Sequence, residues 1–155
     1  MERTNTWLKD RLIYLGQIAY PDLTDIEEIQ ISFGRQSRTR LGSIRRRDGV
    51  SLITLTGYFR DLQIPEVVLD ETIAHELAHY THGFESPRPR LYRHPHSGGV
   101  ITRELIQRGL GETHQQARHW LKRHWPTYLR DKTPHRRVIR KRSTVKRTLH
   151  WLLKF

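Results

Sequence analysis

Apolar residues recur at helical spacing near the start of the chain. They are Trp7, Leu8, Leu12, Leu15 and Ile18. Because these positions are separated by three or four residues, they predict an amphipathic helix over residues 5–18. Asn5 or Thr6 is its expected N-cap, since both side chains can accept a hydrogen bond from a free backbone N–H.

The pattern then changes to three short segments that predict a small sheet. Residues 28–33 alternate apolar and polar positions, as a half-buried strand does. Residues 41–44 predict a second strand. The stretch 50–56 is rich in β-branched residues and is apolar on both faces, so it predicts a third, covered strand. Asp48-Gly49 predicts the hairpin turn that joins the last two strands.

A second helix is predicted over residues 67–82, after Pro65 at its first turn. Apolar residues lie on or near one of its faces: Leu69, Ile73, Leu77 and Tyr80. Residues 83–99 are rich in proline, arginine, histidine and glycine, and predict a long functional loop. Helical patterning resumes over residues 100–110 and 112–129, and Pro126 is expected to interrupt the last helix.

Composition limits the chemistry that this chain can perform. Its 155 residues fit one domain, 35% of them are hydrophobic and 28% charged, and no run is apolar enough to cross a bilayer. The first residues do not resemble a secretory signal, so we expect a cytoplasmic protein that does not interact with membranes. Because the chain has no cysteine, any metal must be bound by imidazole or carboxylate groups.

The second predicted helix carries the sequence His75-Glu76-Leu-Ala-His79. Residues four apart lie on one face of a helix, so two imidazoles at this spacing can bind one tetrahedral zinc ion, each at about 2.0–2.1 Å. Glu76 can reach a metal-bound water, whose pKa zinc lowers to about 7. The carboxylate can then take a proton from the water and give one to a leaving amine. This arrangement predicts peptide hydrolysis.

The third metal ligand is less determined by the sequence. His96 is favoured because the loop returns it to the start of the next helix, and His94 and Glu104 are alternatives. His82 continues the helix face, but it lies about 10 Å along the axis from His75, too far to bind the same ion. A structural zinc site would fill all four positions with protein ligands, whereas a catalytic site leaves one open.

The order of these segments resembles the SprT-like family of zinc metallopeptidases. The resemblance covers roughly residues 5–110. Its matching parts are an N-terminal helix, the strand 29–33, the segment Thr39-Arg-Leu-Gly-Ser-Ile44, the strand 50–55, and a helix with His-Glu-Leu-Ala-His followed by a separated histidine before another helix. Family members commonly have His-Gly after the gap, whereas His96 is followed by Ser97-Gly98 here. Many members also append a cysteine zinc ribbon, which this chain lacks.

The resemblance implies an α+β, zincin-like fold, with a three-stranded sheet packed on an active-site helix and further helices after it. Residues 1–130 would form the metallopeptidase domain. The family's zinc ligands fall on His75, His79 and His96, with Glu76 as the catalytic carboxylate. The implied substrates are proteins associated with DNA or crosslinked to it. Tyr92 and Arg93 are candidate donors to the oxyanion of the reaction.

Residues 131–155 form a basic C-terminal segment with nine lysines and arginines and one acidic residue. The whole chain has a formal charge of +12, which predicts salt-sensitive attraction to nucleic acid. The candidate contacts are Arg136, Arg137, Arg140, Lys141, Arg142, Lys146 and Arg147. The arginines between residues 35 and 47 are interpreted as a solvated strand face. The competing hypothesis for the whole chain is a nucleic-acid-binding module with a structural zinc ion and no peptidase activity.

Overall fold

The computed structural model describes residues 2–132. Its helices are α1 (Asn5–Ala19), α2 (Glu66–Thr81), α3 (Val100–Gln107) and α4 (Gly111–Lys132), and its strands are β1 (Gln30–Phe33), β2 (Gly42–Arg47) and β3 (Val50–Leu55). The candidate nucleic-acid contacts in the basic segment lie outside the described residues: Arg136, Arg137, Arg140, Lys141, Arg142, Lys146 and Arg147. None of the described helices is both long enough and apolar enough to cross a membrane.

The three strands form one mixed sheet in the order β1-β3-β2. β1 runs parallel to β3, and β2 runs antiparallel to it. The predicted α+β class and three-stranded sheet are therefore confirmed, and β3 is the central strand. The predicted hairpin turn is also present: Asp48 and Gly49 both have positive φ, of 50° and 82°, as the favoured two-residue turn requires.

Helix α2 lies at the centre of the domain. Every residue from Val68 to Tyr80 is buried. One side of the helix packs on β2 and β3, and other sides contact α1, α3 and α4. A helix that is covered on all sides is held by packing rather than by its own amphipathic pattern. Its polar side chains are consequently held in fixed positions inside the protein.

Gly42 allows β2 to approach α2 closely. A Cβ atom at this position would lie 2.7 Å from Cγ2 of Thr72 and 2.8 Å from Oε1 of Glu76, which is closer than real Cβ contacts. Any larger residue here would therefore displace the Thr72 or Glu76 side chain from its position. The Leu-Gly-Ser segment therefore sets the distance between the sheet edge and the Glu76 side chain.

Helix α1 covers the sheet with Leu8, Leu12 and Leu15, all of which are buried, whereas Ile18 is exposed. The prediction of Asn5 or Thr6 as the N-cap of α1 was wrong, by one and two positions. Thr4 is the N-cap and accepts the Trp7 N–H, because the helix begins at Asn5. The Asn5 side chain instead accepts the Phe33 N–H and so connects the start of α1 to the end of β1.

The expected interruption at Pro126 does not occur, because α4 continues through it to Lys132. Proline removes one helical hydrogen bond, but packing on both sides of Pro126 outweighs this loss. Trp125 is 1% exposed, donates its indole N–H to the Arg38 carbonyl and stacks on Tyr128. Tyr58 packs edge-on against both rings, and with this tertiary contact the helix continues past the predicted domain end at residue 130.

Candidate metal centre

Helix α2 holds His75 and His79 on one face, with ring centroids 4.8 Å apart. The four-residue spacing makes them neighbours, and the packing around α2 fixes their backbone. Both rings are buried, with 1% of His75 and 7% of His79 exposed. The helix therefore presents two preorganised imidazoles in a largely desolvated place.

The loop after α2 brings His96 back to this face. The Leu91 N–H donates to the His82 carbonyl, which closes the first part of the loop. A short 3₁₀ turn follows His96, and Gly98 and Gly99 in it have φ values of 63° and 68°, which glycine adopts without strain. This turn leads directly into α3, so His96 stands between the loop and a helix.

The three imidazoles converge on a single point. The His96 ring centroid is 4.7 Å from that of His79 and 5.5 Å from that of His75. Each residue offers a nitrogen atom, and these ligand atoms lie within 4.8 Å of one another. Three histidines so close together could bind a metal ion.

The donor set also fits a metal. Nδ1 of His79 is buried and has no hydrogen-bond partner within residues 2–132. An unpaired buried nitrogen is costly, but Nδ1 of His82 and Nε2 of His114 are unpaired in the same way, so the case for a metal rests on the closeness of the three ligand nitrogens. Imidazole ligands are typical of zinc, copper, iron and nickel sites.

Burial and mutual repulsion keep the imidazoles neutral. Burial, followed by the charges of His79, His96 and His114, lowers the pKa of His75 well below its usual value. Burial, followed by the nearby His96 and His82, lowers the pKa of His79 to about 3. His96 is exposed, but partial desolvation lowers its pKa as well. A metal needs the neutral form of histidine, so these shifts favour binding at neutral pH.

Glu76 lies in the same region but has a different environment. Burial, reinforced by the charge of Glu71, raises the pKa of Glu76 to about 8, although the Ile44 backbone N–H donates to the carboxylate and opposes this shift. The carboxyl is thus held between β2 and α2 and exchanges a proton near neutral pH. Such a pKa is typical of groups that act as both acid and base.

An open cleft of about 580 Å³ contains these groups. Its lining includes His75, Glu76, His79 and His96. The remaining residues that line it are Arg40, Gly42, Ser43, Ile44, Phe84, Glu85, Arg90 and Pro95. Its size is sufficient for several side chains of a ligand. We refer to this space as the metal cleft.

The other candidate ligands do not join the group of three histidines. His94 is exposed on the loop. The Glu104 carboxylate contacts Nε2 of His82 at 3.3 Å and accepts from Nε of Arg108 at 2.7 Å. His82 lies outside the group, as its position along the helix predicts.

Tyr92 and Arg93, the candidate oxyanion donors, do not line the metal cleft. The Tyr92 ring instead packs edge-on against His82, with centroids 4.8 Å apart, and Arg93 is exposed. The two cations that do line the cleft are Arg40 and Arg90. Sequence reasoning missed them because neither has a distinctive spacing from the histidines.

A buried pair next to the site was also missed. Nδ1 of His114, on α4, lies 2.8 Å from Oε1 of Glu71, and both side chains are almost completely buried. Glu71 lies four residues before His75, which is about one helical turn, so the two side chains are on the same face of α2. This spacing could have indicated that Glu71 belongs near the site. His114 gave no comparable signal, because its partner is distant in sequence.

No protein-family model matches the chain, and no curated protein or solved structure does so either.

Proposed function

We propose that this protein is a zinc-dependent metallopeptidase of the SprT-like kind with a zincin-like fold. The observation that carries the proposal is the convergence of His75, His79 and His96 beside the buried Glu76, all on the wall of one open cleft. Three imidazoles form a complete set of protein ligands for a catalytic zinc ion. The adjacent carboxylate adds the group that peptide hydrolysis requires.

The number of ligands supports catalysis over a structural role. Structural zinc sites use four protein ligands, whereas catalytic sites use three and leave one position for water or substrate. Among the described residues, the group contains three histidines, and His94 is not one of them. A zinc ion bound here would act as a Lewis acid toward a peptide carbonyl and would make a nearby water more acidic.

Glu76 would transfer the protons. Its carboxylate takes a proton from the attacking water and delivers it to the amine that leaves when the C–N bond breaks. Burial raises the pKa of Glu76 to about 8 in the absence of a metal, and the positive charge of a bound zinc ion would lower it and favour the carboxylate form that takes the proton. The Ile44 N–H donates a hydrogen bond to this carboxylate, and Gly42, which has no side chain, leaves room for it.

We further propose that the substrates are proteins associated with DNA. The support is the net charge of +12 and the concentration of basic residues after residue 130. In the full-length chain, replacing Arg136, Arg137, Arg140 and Lys141 by glutamine should weaken DNA binding and reduce the slope of log affinity against log salt. An unchanged slope would remove this part of the proposal.

The central experiment compares the zinc-loaded protein with its Glu76→Gln variant at equal zinc content. Both proteins are assayed on a DNA-binding protein, once with DNA and once without it. We expect the unmodified chain to cleave this substrate and Glu76→Gln to lose cleavage by at least about a hundredfold. Glu112→Gln is the matched control, because Glu112 is an exposed carboxylate on α4. Retained zinc with no cleavage of any substrate would instead favour the nucleic-acid-binding module with a structural zinc ion.

A further inference from the structure

A second cleft, with a volume of about 380 Å³, adjoins the metal cleft. The two share Arg40 and Ser43, so they meet at β2 and the loop before it. Its walls also include Arg35, Thr39 and Thr54. Because its lining consists mainly of arginines and hydroxyl groups, we refer to this space as the arginine cleft.

The sheet and the loop before β2 give this cleft a defined shape. Ser43 and Thr54 are direct partners across β2 and β3, so their side chains stand next to each other on the same face. The loop is held by Ser37, whose backbone N–H donates to Oγ1 of Thr56 and whose carbonyl accepts from that hydroxyl. Oγ of Ser37 also accepts the Arg40 N–H. The backbone that carries the two arginines is therefore fixed at several points.

Within residues 2–132, the arginine cleft has no acidic partner for its positive charge. Among the described residues no carboxylate lines this cleft, and neither Arg35 nor Arg40 forms an ion pair there. Arg11, Arg88 and Arg108, by contrast, are each paired with an aspartate. Two exposed guanidinium groups in a cleft that is also lined by hydroxyl groups match the needs of a carboxylate ligand.

We propose that the arginine cleft binds an acidic side chain of the peptide whose scissile bond lies in the metal cleft. This inference rests on the proposed peptidase function and adds a preference for aspartate or glutamate near the cleaved bond. A peptide is the favoured ligand because the arginine cleft shares a wall with the metal cleft and has room for a side chain rather than a duplex. Arg35 and Arg40 would bind the carboxylate, and Ser43 and Thr54 would donate to it.

The test uses two series of fluorogenic peptides that differ only in having Asp or Glu, or the neutral Asn or Gln, at positions around the cleaved bond. We expect kcat/KM of the zinc-loaded protein to be about tenfold or more higher for the best acidic peptide. In Arg35→Met and Arg40→Met, the ratio of acidic to neutral kcat/KM should fall toward one. Arg123→Met, which removes an exposed charge from α4, should keep the original ratio.

The outcomes separate this inference from the proposed function. Equal cleavage of both peptide series, or a preference that persists in Arg35→Met and Arg40→Met, would overturn the inference and leave the peptidase in place. If no peptide is cleaved, binding of the labelled peptides to the zinc-loaded protein is measured by fluorescence anisotropy. Tighter binding of the acidic peptides that is lost in Arg35→Met would support the inference. Equal binding of the acidic and neutral peptides would overturn it. Arg35-dependent binding of a single-stranded oligonucleotide, without selectivity for acidic peptides, would assign the cleft to phosphates and also overturn the inference.

Discussion

The domain contains two sets of histidines with different partners. His82 and His114 each lie against a carboxylate, at 3.3 Å from Glu104 and 2.8 Å from Glu71. His75, His79 and His96 instead bring their nitrogen atoms within 4.8 Å of one another, and no carboxylate from residues 2–132 belongs to that group. Burial does not separate the sets, because His75 and His82 are both 1% exposed.

The difference shows that the partner, rather than the depth of burial, indicates what a histidine does. A carboxylate satisfies an imidazole N–H and fixes its ring, which is the requirement of a structural contact. A neutral imidazole has one N–H donor and one acceptor nitrogen, so rings that turn their acceptor nitrogens toward one another cannot hydrogen bond there, and protonated rings repel one another. A metal ion resolves this conflict, so the convergent set is the candidate ligand set.

The largest expected effect comes from removing one helix ligand. We expect His79→Ala to lower zinc affinity by more than about a thousandfold, because zinc sites in small peptides contribute about 10–16 kcal/mol in total. His82→Ala, from the carboxylate-paired set and three residues away, should keep the bound zinc. Competition with a chromogenic chelator measures both affinities. Equal losses in the two variants would show that the two sets do not differ as described.

A second prediction concerns His96 and His94, which lie two residues apart in the same loop. His96→Ala should weaken zinc binding by about a hundredfold or more, since loss of a direct ligand exceeds the about 10–100-fold cost of losing an outer partner. His94→Ala is the matched control and should bind zinc normally, because His94 is exposed outside the group. A larger loss in His94→Ala would exchange the roles of the two residues.

The carboxylate-paired set should affect stability rather than metal binding. His114→Leu leaves the buried Glu71 without its partner, so we expect the free energy of unfolding to fall by about 1–3 kcal/mol. Urea unfolding with a chelator present measures this in the metal-free protein. His119→Leu, at an exposed position of the same helix, should change it by less than about 0.5 kcal/mol. A comparable loss in both variants would contradict a specific role of the buried pair.

Local patterns were sufficient to predict the elements that carry the site. The helix with His75, Glu76 and His79 was located by its own periodicity and by Pro65, and the hairpin by Asp48-Gly49. These signals are local, since each depends on residues within one or two turns of the chain. The α+β class and the three-stranded sheet followed from them.

Features that depend on distant contacts were not predictable in the same way. Loop residues have no periodicity, so the sequence left His96, His94 and Glu104 as alternatives, whereas folding places Glu104 against His82 and Arg108. The continuity of α4 past Pro126 likewise goes with a distant contact, the packing of Tyr58 against Trp125 and Tyr128. Tertiary structure also places Arg40 and Arg90 in the metal cleft. Neither residue stands at a characteristic sequence spacing from the histidines, so the sequence alone does not indicate them.

The smallest predicted effect concerns Asp22, the last residue in a series of ion pairs that begins with His82 and Glu104. Glu104 contacts Arg108, which in turn contacts Asp22. The hydrogen bond from Arg108 lowers the pKa of Asp22 below its ordinary value of 3.8. Since the folded state favours the charged form, this pair stabilises the protein above about pH 4, and its contribution is lost as pH falls through the depressed pKa of Asp22.

We therefore expect Asp22→Asn to lower the free energy of unfolding near pH 7 by less than about 1 kcal/mol, because the Asp22 side chain is 50% exposed and solvent screens the pair. The difference from the unmodified protein should shrink as the pH is lowered below 3.8. Urea unfolding of the metal-free protein across this range measures it. Asp10→Asn, which removes an exposed carboxylate from α1, is the control and should show a smaller loss. A difference that grows toward acid pH would mean that Arg108 does not stabilise the Asp22 carboxylate.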